Sequence, residues 1–284
     1  MKDLWRGIPA GILLACLVPA CSMGQDPARL TPDTNALFSR TASEKLAQDF
    51  SSADISYLFY DARSDRFIAR KWSESTQVPV GSLVKPFLAL AYAETHDYRF
   101  PQHVCTGGNS CWLPKGHGNL GIVHAISFSC NSYFAELGSQ TGGAPVTSVA
   151  QRFGLAGPGA IASPEEMAGG SGVWRELPEC MVHAYAMLLD RKSQPGVRDI
   201  IDGMADSARN GTASSLARQG LHQSFLAKTG TAVCIHKAHA PVDGFVVVAW
   251  PADFPRYILM VRQHGVTGAQ AAVLAAHMLR DLEP

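Results

Sequence analysis

The sequence predicts an α/β fold of the α+β kind, in which strands from both ends of the chain share one sheet and a mostly helical second lobe is inserted between them. Three observations carry this expectation. Strand-like apolar runs occupy residues 55–60 and 66–70 near one end, and 225–233, 245–250 and 257–261 near the other. Helical periodicity dominates the middle, from about residue 88 to 218. Pro and Gly signals separate the C-terminal strands, and runs of strand period at both ends must bury their apolar faces together.

The elements follow in order. With 284 residues, 46% of them hydrophobic, the chain can bury a full core in one large domain or two lobes. Lys+Arg and Asp+Glu both number 24, so no global field draws nucleic acid or an acidic surface. Lys2 and Arg6 flank Asp3, and the apolar run 8–18 is too short to span a bilayer comfortably, so residues 1–21 read as a signal peptide. Leu17-Val18-Pro19-Ala20-Cys21 resembles a bacterial lipoprotein box, with Cys21 as the lipidated residue. That predicts an exported, membrane-anchored chain on the periplasmic or cell-envelope face, an ordinary signal with incidental cysteines being the alternative. Residues 22–40 are polar and Pro-punctuated, the pattern of a flexible tether. The domain then spans 41–284.

Thr41-Ala42-Ser43-Glu44 has the form of a capping box opening a short helix to Phe50. Asp61-Ala62-Arg63-Ser64-Asp65 is the turn of a β-hairpin. A helix beginning near Ser82 runs through Tyr92, followed by a loop over 99–119 rich in Gly, Cys and Pro. Further helices are predicted over 120–126, 131–138, 146–153, 178–189 and 199–208, and a last one over 270–282. Export permits disulfides, and Cys105 and Cys111, six positions apart in the loop, form a candidate pair. Cys130, Cys180 and Cys234 then have no obvious partner.

Within this frame three stretches carry chemistry. Ser82-Leu83-Val84-Lys85 places a hydroxyl and an amine three residues apart at a helix start, on one face, where Lys85 can take the proton that Ser82 must lose to become a nucleophile. Ser129-Cys130-Asn131 presents a hydroxyl and an amide from a tight helix–helix junction. Lys228-Thr229-Gly230-Thr231 adds a cation on a strand, with glycine where a close approach is needed. Two lysines in one cleft would lower each other's pKa, leaving Lys85 neutral as a base while Lys228 stays charged.

The ordered set Ser-x-x-Lys, Ser-x-Asn, Lys-Thr-Gly resembles the signature of penicillin-binding proteins and class A β-lactamases. The likeness extends to Asn210-Gly211-Thr212-Ala213 and to Glu176-Leu177-Pro178-Glu179-Cys180-Met181, covering about residue 55 to the C-terminus. The resemblance implies a β-lactamase/transpeptidase-like architecture, an antiparallel five-stranded sheet flanked by helices. It implies a D,D-transpeptidase acting on peptidoglycan stem peptides, and binding β-lactams, through an acyl-serine intermediate. Ser82 would be the nucleophile, Lys85 its base and Ser129 the proton relay to the leaving nitrogen. Asn131 would hold the substrate's amide side chain, Lys228 would supply positive charge, and Thr229, Gly230 and Thr231 would contact the substrate, the two threonine hydroxyls at its carboxylate. The oxyanion hole would be the N–H groups of Ser82 and Thr231, each donor worth about 10²–10³ in rate.

A serine β-lactamase, a D,D-carboxypeptidase and a non-catalytic β-lactam sensor are the alternatives. Glu165 and Glu166 are not followed by the Leu and Asn expected after the deacylating glutamate of class A β-lactamases, so they read as solvated loop carboxylates. The segment ahead of Ser82 leaves no room for a glycosyltransferase or pedestal domain, which points to a separate glycosyltransferase or other cell-wall partner. Cys234-Ile235-His236 with His239 has spacing a metal could use but lies in a loop, and Gly116-His117-Gly118 reads as holding a structural or substrate-contact histidine. No metal and no cofactor is expected.

Overall fold

The computed structural model describes residues 34–72 and 75–282. The signal segment, Cys21 and residues 22–33 of the tether lie outside the described residues. The chain runs from α1 (Thr34–Asp49) into the hairpin β1 (Ile55–Asp61) and β2 (Arg66–Lys71), then β3 (Val78–Pro79) and a 3₁₀ turn, Gly81–Val84, that continues as α2 (Lys85–Thr95). The middle contains β4 (His103–Cys105), β5 (Gly118–Leu120), α3 (Ile122–Ser127), α4 (Asn131–Thr141), α5 (Gly143–Arg152), α6 (Pro164–Met167), β6 (Arg175–Glu176), α7 (Pro178–Asp190), α8 (Val197–Arg209) and α9 (Ser215–Arg218). Strands β7 (Leu226–Val233), β8 (Val242–Trp250) and β9 (Tyr257–His264) follow, and α10 (Gly268–Leu282) closes the chain.

The five long strands form one antiparallel sheet in the order β2-β1-β9-β8-β7. The two ends of the chain meet where β1 pairs with β9, Tyr57 opposite Val261. Alternation along the strands divides the core. Leu58, Phe245, Val247, Ile258 and Met260 face the helical lobe, whereas Phe59, Val246, Val248, Leu259 and Val261 face the layer that contains α1 and α10. Residues 85–93 of α2 are all buried, so this helix runs through the core of the lobe, as an all-round apolar helix must.

Two expectations change. Residues 34–40, expected in the tether, belong to α1, and Thr41-Ala42-Ser43-Glu44 lies inside that helix rather than capping it. The reason is tertiary. Phe38 packs against Phe59 and Tyr257, with ring centroids 6.3 and 5.4 Å apart, and Phe38, Ala42 and Leu46 form one stripe at helical spacing on the sheet. The short strands β3 and β6 also pair, Val78 with Glu176, tying the entry to Ser82 to the start of α7. Glu176 is buried and accepts from Trp174 Nε1 at 2.6 Å and from the amides of Ala156 and Gly157 at 3.0 and 3.1 Å, which assigns it a structural role.

Candidate active site

Ser82 sits half-buried in the 3₁₀ turn ahead of α2, a segment that leans on the edge strand β7. Gly81 makes this approach possible. Its φ is +57°, and a Cβ there would fall 2.3 Å from the Thr231 carbonyl oxygen and 3.0 Å from the Thr231 nitrogen. The Tyr185 hydroxyl donates to the Leu83 carbonyl at 2.8 Å and pins the turn from the other side. Gly81→Ala is expected to destabilise the protein by about 2 kcal/mol or more, through strain at positive φ plus the clash with β7. The urea unfolding midpoint measures this, and an unchanged midpoint would show that the turn can move away from β7 freely.

Lys85, Ser129, Asn131 and Lys228 converge. The Ser129 hydroxyl accepts from Lys228 Nζ at 2.8 Å and lies 3.4 Å from Lys85 Nζ. Lys85 Nζ also donates to the Ser129 carbonyl at 2.8 Å and to Asn131 Oδ1 at 2.6 Å. Ser129 itself holds a φ of +51° in the junction between α3 and α4, a backbone state uncommon for a residue with a side chain. Both amines are fully buried. Burial lowers the Lys85 pKa to about 7, opposed in part by the nearby Cys130 and Cys111 sulfurs. Burial, and then the Lys85 charge, put Lys228 well below its usual value. The lowered pKa expected of Lys85 is therefore present, but desolvation is its main cause rather than repulsion between the two amines. The downward shift is thus shared by both lysines and is not confined to Lys85.

The β7 residues are more engaged with protein than the sequence suggested. Thr229 is nearly buried and donates to Thr212 Oγ1 at 2.6 Å, which in turn lies 3.4 Å from Ser207 Oγ. Thr231 is exposed, and its hydroxyl accepts from the Gly268 amide at 2.9 Å. Gly230 abuts the segment leading to Ser82: an added Cβ would fall 2.7 Å from the Val80 carbonyl oxygen. Thr212 had no individual role in the sequence reading. It lies in the Asn210-Gly211-Thr212-Ala213 stretch, and its amide donates to the Ser127 carbonyl at 3.1 Å, so it links β7 to the Ser129 junction.

Glu166 caps α6, accepting from the Ser163 amide at 2.7 Å while its own amide donates to Ser163 Oγ. Glu166 thus holds the first turn of α6, and Glu165 is exposed.

Cys105 and Cys111 are free thiols, not a disulfide. Their sulfurs face His117 Nδ1 instead, at 3.6 and 3.4 Å, and the Cys111 sulfur is 3.8 Å from that of Cys130. Burial pushes the Cys130 thiol up to about 12. Burial also raises Cys111, but amide donors from Leu113, Ser132 and Asn131 outweigh it and hold that thiol below its ordinary value. Near the far edge of β8 and β9, Cys234 lies against His264, which pairs with Asp243 at 2.5 Å. His264, absent from the sequence expectation, takes the place there that was considered for His236 and His239.

An antiparallel five-stranded sheet whose edge strand carries Lys228 against the Ser82 turn, with the Ser129 junction closing the third side, has close counterparts among solved structures. Penicillin-binding protein 2 of Pseudomonas aeruginosa superposes with a TM-score of 0.69 at 16% identity, over 87% of this chain and 73% of that one. The fold is that of a penicillin-binding-protein transpeptidase domain. A penicillin-binding protein 2 from Helicobacter pylori, solved with MreC, superposes with a TM-score of 0.70 at 16% identity, over 86% of this chain and 62% of that one. The transpeptidase domain of penicillin-binding protein 3 from Burkholderia pseudomallei gives 0.66 at 14% identity, over 88% of this chain and 96% of that domain. No family model and no curated protein matches the chain. The transpeptidase-domain fold thus brings together all three motif stretches, with Thr212 added.

Proposed function

We propose that this chain is a penicillin-binding D,D-transpeptidase that acts on peptidoglycan stem peptides through an acyl-serine intermediate. The observation that carries the reading is the Ser129 hydroxyl held between two fully buried amines, Lys85 and Lys228, beside the turn that presents Ser82. A neutral Lys85 donates its two N–H bonds to the Ser129 carbonyl and Asn131 Oδ1, and its lone pair is then free for the Ser82 proton. Ser82 Oγ attacks the carbonyl of the terminal D-alanyl-D-alanine bond, and the oxyanion develops against the amides of Ser82 and Thr231. Ser129, hydrogen-bonded to Lys228, passes a proton to the departing nitrogen. Asn131 orients the substrate amide, and Lys228 with Thr229 and Thr231 binds the terminal carboxylate.

Because the base must be neutral, acylation by a penicillin should fall about tenfold per pH unit below pH 7 and level off above it. Stopped-flow labelling from roughly pH 5 to 9 measures this; a rate independent of pH across that range would remove Lys85 as the titrating base.

The capping role of Glu166 favours slow deacylation over β-lactamase turnover. A long-lived adduct together with turnover of a D-Ala-D-Ala peptide is expected. Rapid adduct decay would indicate a β-lactamase, and a stable adduct without peptide turnover a sensor. We further propose export to the cell-envelope face with lipidation at Cys21. Among the described residues no helix is long and apolar enough to cross a membrane. Partnership with other cell-wall proteins is proposed by analogy with the neighbour solved with MreC.

A further inference from the structure

We propose that Cys105, Cys111, His117 and Cys130 form a tetrahedral zinc site that braces the Ser129–Asn131 junction from behind. Zinc bonded to sulfur at about 2.3 Å and to nitrogen at about 2.0–2.1 Å in tetrahedral geometry separates two sulfurs by roughly 3.8 Å and a sulfur from a nitrogen by roughly 3.6 Å. The observed separations are 3.8 Å between Cys111 and Cys130, and 3.6 and 3.4 Å from His117 Nδ1 to Cys105 and Cys111. All four donor atoms lie within 4.8 Å of one another. A disulfide would need two sulfurs about 2.0 Å apart, and three thiols with an imidazole at ligand–ligand spacing are not a disulfide pair with neighbours.

The backbone is built to converge these groups. Strands β4 and β5 set Cys105 opposite Gly118, which brings His117 alongside Cys105. Gly116 has a φ of +74°, and a Cβ there would lie 2.2 Å from the Cys105 carbonyl oxygen, so the loop closes on itself in a way that a side chain would prevent. The three cysteines are buried, which suits a closed structural site with no position left for water or substrate. Amides of Leu113, Asn131 and Ser132 donate to the Cys111 sulfur, the outer contacts that orient a thiolate ligand. The imidazole stacks on Phe128 and meets Trp112 edge-on, and Trp112 Nε1 donates to the Phe128 carbonyl at 3.0 Å, closing the pocket from outside. His117 Nε2 is buried without a partner, so Nδ1 is the ring's one engaged nitrogen.

Binding exchanges three thiol protons for one divalent cation and leaves three Zn–S bonds and one Zn–N bond, with a net charge of minus one. The metal takes no part in acyl transfer. Its consequence is mechanical: Cys130 is the residue between Ser129 and Asn131, so a Zn–S bond to Cys130 fixes the turn that holds the relay hydroxyl and the Lys85 partner. That consequence rests on the transpeptidase reading, whereas the metal site itself does not.

The test uses the purified full chain. Elemental analysis is expected to find about one zinc per chain, and cobalt substitution should give tetrahedral d–d bands with thiolate charge transfer. Cys105→Ser and His117→Gln should each weaken zinc binding by about 10²-fold. Absence of stoichiometric metal from reduced protein, a cobalt spectrum without thiolate bands, or a Cys105–Cys111 disulfide in non-reducing peptide mapping would each overturn the site. The cobalt spectrum is read on the wild-type chain, so the test stands even where a variant fails to fold. Chelation should slow penicillin labelling about tenfold, with recovery on adding zinc; zinc bound but labelling unchanged on its removal would overturn the bracing role. Zinc bound with no labelling in any state would refute the transpeptidase reading and leave the metal site standing.

Discussion

Ser82→Ala is expected to abolish covalent labelling by a fluorescent penicillin, with a loss of acylation on the order of 10⁶. The magnitude follows from what remains. Without Oγ the proposed site would still offer the amides of Ser82 and Thr231 and the two buried lysines, so a β-lactam should still bind and be polarised, but no bond to the protein is expected to form. The substitution removes one oxygen from a half-buried position and keeps the Gly81 conformation and the Tyr185 hydrogen bond to Leu83, so folding should be unaffected. Persistent labelling of the Ser82→Ala protein, located elsewhere by peptide mapping, would overturn the nucleophile assignment.

Lys85→Met is expected to slow acylation by about 10²–10⁴-fold while penicillin still binds noncovalently. Methionine keeps much of the buried volume and removes the amine proposed to accept the Ser82 proton. It also leaves the Ser129 carbonyl and Asn131 Oδ1 without their present donor, a cost of about 1–3 kcal/mol per buried unsatisfied acceptor, so an unfolding curve accompanies the kinetics. The two effects separate cleanly: a stability defect lowers the active fraction, whereas loss of the base lowers the rate constant of protein that remains folded. An acylation rate constant within threefold of wild type would show that another group takes the proton.

The sheet was legible because both chain ends carry short strand-like apolar runs bounded by Pro and Gly signals; Phe245 to Trp250 are apolar throughout and sort residue by residue onto the two faces only in the fold. The three motif stretches were legible because each is short and local. What escaped the sequence depends on contacts between distant segments. Phe38 has no periodic neighbours strong enough to declare a helix, and α1 extends to Thr34 only because Phe59 and Tyr257 lie beside it. Thr212 is an ordinary threonine until β7 arrives to place Thr229 against it. The cysteine loop invited a local disulfide reading, since Cys105 and Cys111 are close in sequence. Cys130 joins them through the start of α4, and His117 through pairing of two three-residue strands that carry little signal of their own.

The pairing of β1 with β9 also sets a timetable. A chain emerging from its N-terminus presents β1 and the Ser82 turn long before residues 257–264 exist to pair with β1, and Ser129 must wait 99 positions for Lys228. Contacts this distant in sequence form late and slowly. An unfinished chain therefore carries its serine without the strand against which that serine is held, and on the proposed reading reactivity toward acyl donors would be among the last properties to arise as the protein is made.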